Sequence, residues 1–466
     1  FGHRIDQVEF HPAWSELLRL GIRAEIPSLP WRDGRVGSHV VRGALLMLLS
    51  QAEAGVGCPL SMTYASIPTL RHSPELAEAW EPALVDPDPA RAALCGMAMT
   101  EKQGGSDVHA NTTQADPAGD GTFELTGHKW FCSHPVCDAF LVLAQAPGGL
   151  SCFLLPRLLP DGSLNPGFQI VRLKDKLGTR ALASAEIELD RARAWPVGEE
   201  GEGVRVIIEM VNHTRLDCVL GSAAGMRRAV AEATHHAAHR SVFGKALIDQ
   251  PLMENVLADL CVESEAATLL AVRLAAGYES DADPAFRRPA TAIAKYWVCK
   301  RAVWHVAEAL ECLGGNGYVE ESAMPRLLRD SPLNSIWEGS GNVMALDVLR
   351  AFSKDRQPFE ALMAEIDLAK GADPRLDRHI EGARAGVPAL ISSEERDAQY
   401  VARRIVGGLG LLLQASLVVR YSPAPVAEAF LASRLAYETD RTFGTLPAGI
   451  DCQAIIERHR PKLAGG

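Results

Sequence analysis

The sequence predicts an α+β fold, mainly α. A helical N-terminal part is followed by a small middle β-barrel or sandwich, a helical bundle and a helical C-terminal extension. Three observations predict it. Residues 12–94, and nearly everything after Val204, carry apolar residues at helical spacing in segments too long for strands. Between them lie five short β-prone runs separated by Gly, Pro and Asp turns. The 466-residue chain is 47% hydrophobic and 23% charged, which fills several cores and is not the composition of a disordered chain.

The expected domains are 1–95, 96–198, 199–352 and 353–466. In the first, residues 40–51 read as an apolar helix and 74–80 as another, before Pro82, Pro87 and Pro89 punctuate the chain. The β-prone runs are 123–125, 139–145, 151–156, 168–173 and 185–189, spaced as in an antiparallel barrel or sandwich. Long helices are expected at 216–240, 253–278 and 289–313, with 281–284 as a turn. In the extension, 359–369, 376–385, 392–422 and 426–437 are helical candidates. The longest apolar run, 405–419, is too short to span a bilayer and holds Gly407, Gly408, Gly410 and Gln414, so a buried helix is expected and no membrane partner.

A net charge of −11 excludes attraction to nucleic acid or anionic lipid by bulk electrostatics, though not through a local basic patch. The ten cysteines include no Cys-x-x-Cys pair, so zinc spacing is absent and reduced core thiols of a cytoplasmic protein are expected. His235, His236 and His239 share a helix face but have no carboxylate or Cys nearby in sequence, so no metal is expected.

The chemistry concentrates in a few segments. Trp337-Glu338-Gly339-Ser340 places one carboxylate between an aromatic and small residues, just before a helical pattern. A carboxylate in apolar surroundings holds its proton more tightly and can serve as a base near neutral pH. Amides at a helix start can hold an anion. The same residues also read as a plain helix cap made by Ser340. Met99-Thr100-Glu101, with Gly105-Ser106-Asp107, offers hydroxyls and glycines that admit a flat or phosphorylated ligand. Trp130-Phe131-Cys132-Ser133 can stack on a ring and bond its edge. Arg240, with Phe243-Gly244, closes a helix where an Arg can meet a pyrophosphate. Gly314-Gly315-Asn316-Gly317 follows a helix, unlike a strand–turn–helix dinucleotide loop. Asn212-His213-Thr214-Arg215 opens the first long helix.

Joined in this order on a helical–β–helical frame, these segments resemble the acyl-CoA dehydrogenase superfamily of flavoproteins, from about Gly96 to Arg350. Glu101 to Asp107, Lys174-Asp175-Lys176-Leu177-Gly178, Asn334 to Asn342 and the C-terminal extension are similar to its AidB-like branch. The resemblance implies the acyl-CoA dehydrogenase fold, bound FAD and α,β-dehydrogenation of an acyl-CoA, with Glu338 as base. A short branched acyl group of the isovaleryl kind is the expected substrate. The thioester carbonyl would be polarised by the Glu338 amide and a flavin ribityl hydroxyl. Cofactor contacts fall to Met99, Thr100, Gly105, Ser106, Trp130, Phe131, Ser133, Arg240, Phe243, Gly314, Gly315, Trp337, Gly339, Ser340 and Asn342. Substrate contacts fall to Thr100, Ser106, Ser133 and Arg215. The Arg240 element reaches a neighbouring subunit in the family, so a homotetramer is implied.

The AidB-like branch also implies an alternative: a flavoprotein with little dehydrogenase activity that binds double-stranded DNA through its extension and protects it from alkylation. Arg375, Arg378 and Arg384, near His379, recur at near-helical spacing, and Arg403-Arg404 adds a pair. Two departures stand against full conformity. The Arg that short-chain members carry seven residues after the base is Ala345 here. Residues 354–466 hold 15 Lys and Arg against 15 Asp and Glu, a neutral extension rather than a basic one.

Overall fold

Five helices open the chain in the computed structural model, which describes residues 4–279, 282–436 and 442–462. They are α1 (Pro12–Arg23), α2 (Leu29–Asp33), α3 (Ser38–Ala52), α4 (Ala54–Leu70) and α5 (Pro74–Leu84). The chain divides into two units, Phe1–Asp217 and Cys218–Gly466. In the first, α4 is the core helix: Val56, Leu60, Tyr64, Ile67 and Leu70 are wholly buried. Sequence reading passed over α4 because Pro59 and Pro68 lie inside it.

The β-domain follows with β1 (Cys95–Ala98), β2 (Gln114–Pro117), β3 (Phe123–Ser133), β4 (Ala139–Ala146), β5 (Gly149–Pro156), β6 (Phe168–Leu173) and β7 (Ser184–Val197). Pairings β4–β2, β2–β3, β3–β7, β7–β5 and β5–β4 close a ring, so the barrel reading holds. It is not wholly antiparallel: β1 and β2 both pair with β4 in parallel. These two four-residue strands are too short for alternation to reveal them.

The helix expected to start at Leu216 instead starts at Gly203, as α6 (Gly203–His239). No proline interrupts residues 204–215, so Asn212 to Arg215 lie inside the helix rather than opening it. The hairpin β8 (Ser241–Val242) and β9 (Lys245–Ala246) comes next. Then come α7 (Pro251–Ala276), α8 (Pro284–Glu311), α9 (Gly315–Tyr318), α10 (Met324–Asp330) and α11 (Gly341–Lys354). The extension supplies α12 (Gln357–Asp367), α13 (Pro374–Ile391), α14 (Glu395–Tyr421), α15 (Ala424–Arg434) and α16 (Cys452–His459). Asp281 of the expected turn and Tyr437 of the expected last helix lie outside the described residues.

The extension is not an appendage. α14 packs on α7, α8 and α11 as well as on α12 and α13. It is long and apolar enough to cross a membrane, yet 72% of its most apolar window is buried against the rest of the chain. The buried-helix reading of 405–419 accounts for both facts.

Candidate flavin and acyl site

The predicted residues fall into two groups, one in each unit. In the first unit, the segment after β1 is held by a buried carboxylate. Glu101 is 2% exposed. Its oxygens accept from Lys129 Nζ at 2.7 Å, from the Thr113 hydroxyl at 2.6 Å and from the Thr112 amide at 2.6 Å. Burial alone would raise its pKa, but Lys129 and these donors hold the carboxyl well below the usual range. Burial depresses the pKa of Lys129, with Glu101 opposing. This pair makes Glu101 an anchor rather than a ligand group.

With Glu101 fixed, Thr100 is placed. Its carbonyl accepts from the Trp130 amide at 2.8 Å, which joins two segments that the sequence showed only separately. The Asn111 side-chain amide donates to the Met99 carbonyl at 3.0 Å. Register shifts between Lys129 and Cys132, which both stay buried, so a bulge turns Trp130 and Phe131 out of the barrel core. Phe131 is 48% exposed. Trp130 already carries a cation: Lys174 Nζ lies 3.1 Å from its ring centroid and is tied to Glu186 at 2.7 Å.

Gly105 is required by close approach. A Cβ there would come 2.6 Å from the Thr100 hydroxyl oxygen and 3.0 Å from its methyl carbon. We expect Gly105→Val to displace Thr100 and weaken flavin binding by roughly tenfold or more, about 1.4 kcal/mol. Titrating apoprotein with FAD and following flavin fluorescence checks this. Unchanged affinity would detach Thr100 from the cofactor site.

In the second unit, Leu333–Ser335 forms a 3₁₀ turn and the chain then runs through Trp337 and Glu338 to α11. Trp337 Nε1 donates to Asn334 Oδ1 at 3.0 Å, and Asn334 Nδ2 donates to the Ser222 hydroxyl at 3.1 Å. Glu338 is half-buried and sits at φ +58°, followed by Gly339 at φ +103°. A left-handed Glu is uncommon and marks a backbone set by its surroundings. Ser340 does occupy the cap position of α11, but its side chain makes no capping bond. Position alone therefore supports the capping reading. Asn342, on the first turn of α11, is exposed.

Gly314 adopts φ +58°, ψ −140°, and a Cβ at Gly314 or Gly315 would meet nothing within 4 Å. The backbone there is open to an approaching ligand. Gly317 differs, because its Cβ would press to 2.2 Å from the Leu310 carbonyl, so that glycine serves packing. Arg240 directly follows α6 and leads into the hairpin, whose two-residue turn is Phe243 (φ +51°) and Gly244 (φ +79°). Arg240 is exposed and Phe243 is 99% exposed. Arg215 is buried within α6.

Within the first unit, the polar Thr100, Ser106 and Ser133 and the outward Phe131 suit a flavin; within the second, the open Gly314-Gly315 backbone and the amides opening α11 suit the anionic part of such a cofactor. Sequence reading missed Lys129 as the anchor's partner, and it missed Asn334 and Lys295 beneath the Glu338 loop. For Lys295 the available signal was a single Lys within the small apolar run Ala290 to Val298.

Two of the arginines considered for DNA are occupied. Arg375 bridges Asp373 and Glu428, with Nη2–carboxylate distances of 2.8 and 2.6 Å. Arg384 bridges Glu360 and Asp367. Their positive charge is offset where they stand. Arg403 and Arg404 are exposed. Among the described residues no group of three or more His, Cys, Asp or Glu is arranged to hold a metal.

Comparison with known proteins gives the family. Residues 1–88 match the adaptive response protein AidB N-terminal domain, 96–192 the acyl-CoA dehydrogenase middle domain, and 201–353 the acyl-CoA dehydrogenase C-terminal domain. The chain is 45% identical to the putative acyl-CoA dehydrogenase AidB of Escherichia coli (strain K12), over 92% of this chain and 80% of that protein. It is 34% identical to acyl-CoA dehydrogenase family member 11 of Caenorhabditis elegans, over 85% of this chain and 68% of that one. Among solved structures, Caenorhabditis elegans ACDH-11 in complex with C11-CoA superposes with a TM-score of 0.84 at 32% identity, covering 92% of this chain and 79% of that one. A Bacillus anthracis acyl-CoA dehydrogenase complexed with FAD shares the fold, with a TM-score of 0.76 at 19% identity over 96% of this chain and 82% of that one. Matching domains, a relative at 45% identity and the site built above lead to one conclusion: this chain is an FAD-dependent oxidoreductase belonging to the AidB-like acyl-CoA dehydrogenase family.

Proposed function

We propose that the protein dehydrogenates an acyl-CoA thioester between its α and β carbons, with Glu338 as the base. The observation that carries this reading is the Glu338 loop. It is a half-buried carboxylate on a strained, hydrogen-bonded turn directly ahead of the α11 amides. Glu338 takes the α-proton, and the bond between the α and β carbons becomes double as the β-hydrogen leaves with its electron pair. FAD, when bound, would supply the redox chemistry as the hydride acceptor. The Glu338 amide steadies the thioester oxygen as negative charge builds on it. In the first unit Thr100 and Ser133 would hold the ring edge of the cofactor and Ser106 a further polar atom, with Phe131 keeping water away; in the second unit Asn342 would hold another polar atom of it and Trp337 would keep water away.

The relative solved with C11-CoA supports an acyl-CoA as the substrate class. A short branched acyl group of the isovaleryl kind is the acyl part we propose. The test is to mix purified holoprotein anaerobically with isovaleryl-CoA, butyryl-CoA and a C11-CoA and to follow the flavin absorbance. Bleaching fastest with isovaleryl-CoA supports both parts of the proposal. Faster bleaching with the longer chain overturns the acyl preference, and no bleaching with any thioester overturns the activity.

We also propose a homotetrameric, cytoplasmic protein. The 99% exposed Phe243 on its hairpin, with exposed Leu252 and Trp304, supports assembly. Ten free cysteines, eight of them buried, suit a reducing compartment.

A second reading, a flavoprotein that binds duplex DNA and protects it from alkylation, is favoured by similarity to AidB and by the exposed Arg403-Arg404 pair on α14. Its test is a gel shift with duplex DNA over a salt series. We expect Arg403→Glu with Arg404→Glu to weaken binding and to flatten the salt slope by about two counterions. No shift at low salt with the unaltered protein removes this reading.

A further inference from the structure

Lys295 stands in the middle of α8 and is 1% exposed. Its helix neighbours Ile293, Ala294, Val298 and Cys299 are all buried. An ammonium in such a place has lost its water and is costly to keep unless hydrogen bonds replace it. The replacements are two backbone carbonyls. Lys295 Nζ donates to the Asn334 carbonyl at 3.0 Å and to the Gly339 carbonyl at 2.8 Å.

Those carbonyls bracket Glu338, four residues before it and one after. The bracketed backbone is the strained part of the loop, with Glu338 at φ +58° and Gly339 at φ +103°. The Asn334 side chain fixes the same segment a second time, through Trp337 and Ser222. One buried cation in the middle of α8 therefore holds both sides of the turn that carries the carboxylate.

We propose that Lys295 is a positioning residue for Glu338. By tying the carbonyls of residues 334 and 339 to α8, it fixes the left-handed turn from which the carboxylate reaches the α-proton. This rests on the reading of Glu338 as the base. Lysine suits the task because one ammonium can donate to two acceptors at once, which a methionine or leucine of similar volume cannot do.

The test compares Lys295→Met and Lys295→Ala with the unaltered holoprotein. Flavin content, KM for the acyl-CoA, the single-turnover rate of flavin reduction and amide hydrogen exchange of residues 333–341 in the apoprotein are measured. We expect flavin content and KM to stay within about twofold, since Lys295 is 1% exposed and spends its hydrogen bonds on the loop backbone. The reduction rate falls roughly a hundredfold, as expected for a displaced catalytic group. Exchange in the loop quickens, and ethylamine added to Lys295→Ala restores part of the rate where ethanol does not.

An unchanged rate overturns the proposal. So does a loss of rate that runs in step with lost flavin and raised KM without amine rescue, because that pattern belongs to a general packing role. Failure of both variants to fold, read from exchange along α8, also overturns it in favour of that role. Glu338→Gln measured alongside separates the two readings. If Glu338→Gln keeps its activity, the base assignment fails whatever Lys295 does. If Glu338→Gln is dead while Lys295→Met is as fast as the parent, the positioning proposal alone fails.

Discussion

Glu338→Gln is expected to leave the flavin spectrum intact and to lower the single-turnover rate of flavin reduction by about a thousandfold, within the range that a positioned general base contributes. Gln keeps the volume and a hydrogen-bonding tip but cannot take a proton. The loop should hold its shape, because its hydrogen bonds run through Asn334, Trp337 and the Gly339 carbonyl rather than through the Glu338 carboxylate alone. The loss should therefore fall on the chemical step and spare KM. Melting temperature and FAD affinity close to those of the parent would show that only the proton transfer has gone. Retained activity would move the base to another carboxylate. Exposed Glu320 and Glu321 offer no comparable setting, since both face solvent and Glu320 is paired with Arg329.

The fold was readable because helical and strand periods change where the chain changes architecture. The middle strands at 168–173 and 184–197 carry clear alternation or strong β character, and the glycine and proline turns separate them. α4 escaped because its helix tolerates two internal prolines that local rules treat as breaks. The site was readable as a set of segments but not as an arrangement. Nothing in the spacing of Thr100 and Trp130 announces that the amide of one bonds the carbonyl of the other. Buried lysines are harder still. Lys295 sits in a largely apolar run and Lys129 just ahead of Trp130-Phe131-Cys132, and only tertiary contacts reveal the partner that makes each tolerable. The arginines of α13 fail in the opposite sense. Their spacing suggested a basic face, whereas Arg375 and Arg384 are met by acids from elsewhere in the extension.

Glu263→Gln is expected to destabilise the second unit by about 3–5 kcal/mol, the usual cost of removing one member of a buried ion pair. Glu263 on α7 is 2% exposed and receives Arg301 of α8 at 2.8 Å and Arg434 of α15 at 3.1 Å. Burial on its own would raise its pKa, but the two guanidiniums outweigh it and hold the carboxyl down at about 2. Two residues on, Glu265 receives Arg458 at 2.8 Å and His459 at 3.0 Å from α16, together with the Ser422 hydroxyl, and is likewise lowered to about 2. Both folded values lie below the ordinary 4.5, so both carboxylates contribute their stability in full above about pH 4.5. That contribution is lost progressively as the pH falls from 4.5 towards 2. Urea midpoints measured between pH 6 and pH 3 should therefore fall steeply for the parent. The slope should be shallower for Glu263→Gln, which starts lower and has one less carboxylate to protonate. Parallel slopes would show that Glu263 does not carry the acid sensitivity. The same contacts explain why removal of residues 353–466 is a poor way to test the extension for DNA binding. It would strip Arg434, Arg458 and the buried α14 from α7 and α8 together, leave Glu265 without Arg458, His459 and Ser422 and Glu263 without Arg434, and expose the bundle core. Charge reversal at Arg403 and Arg404 leaves that framework standing, so loss of DNA binding in that variant would report on the arginines rather than on an unfolded bundle.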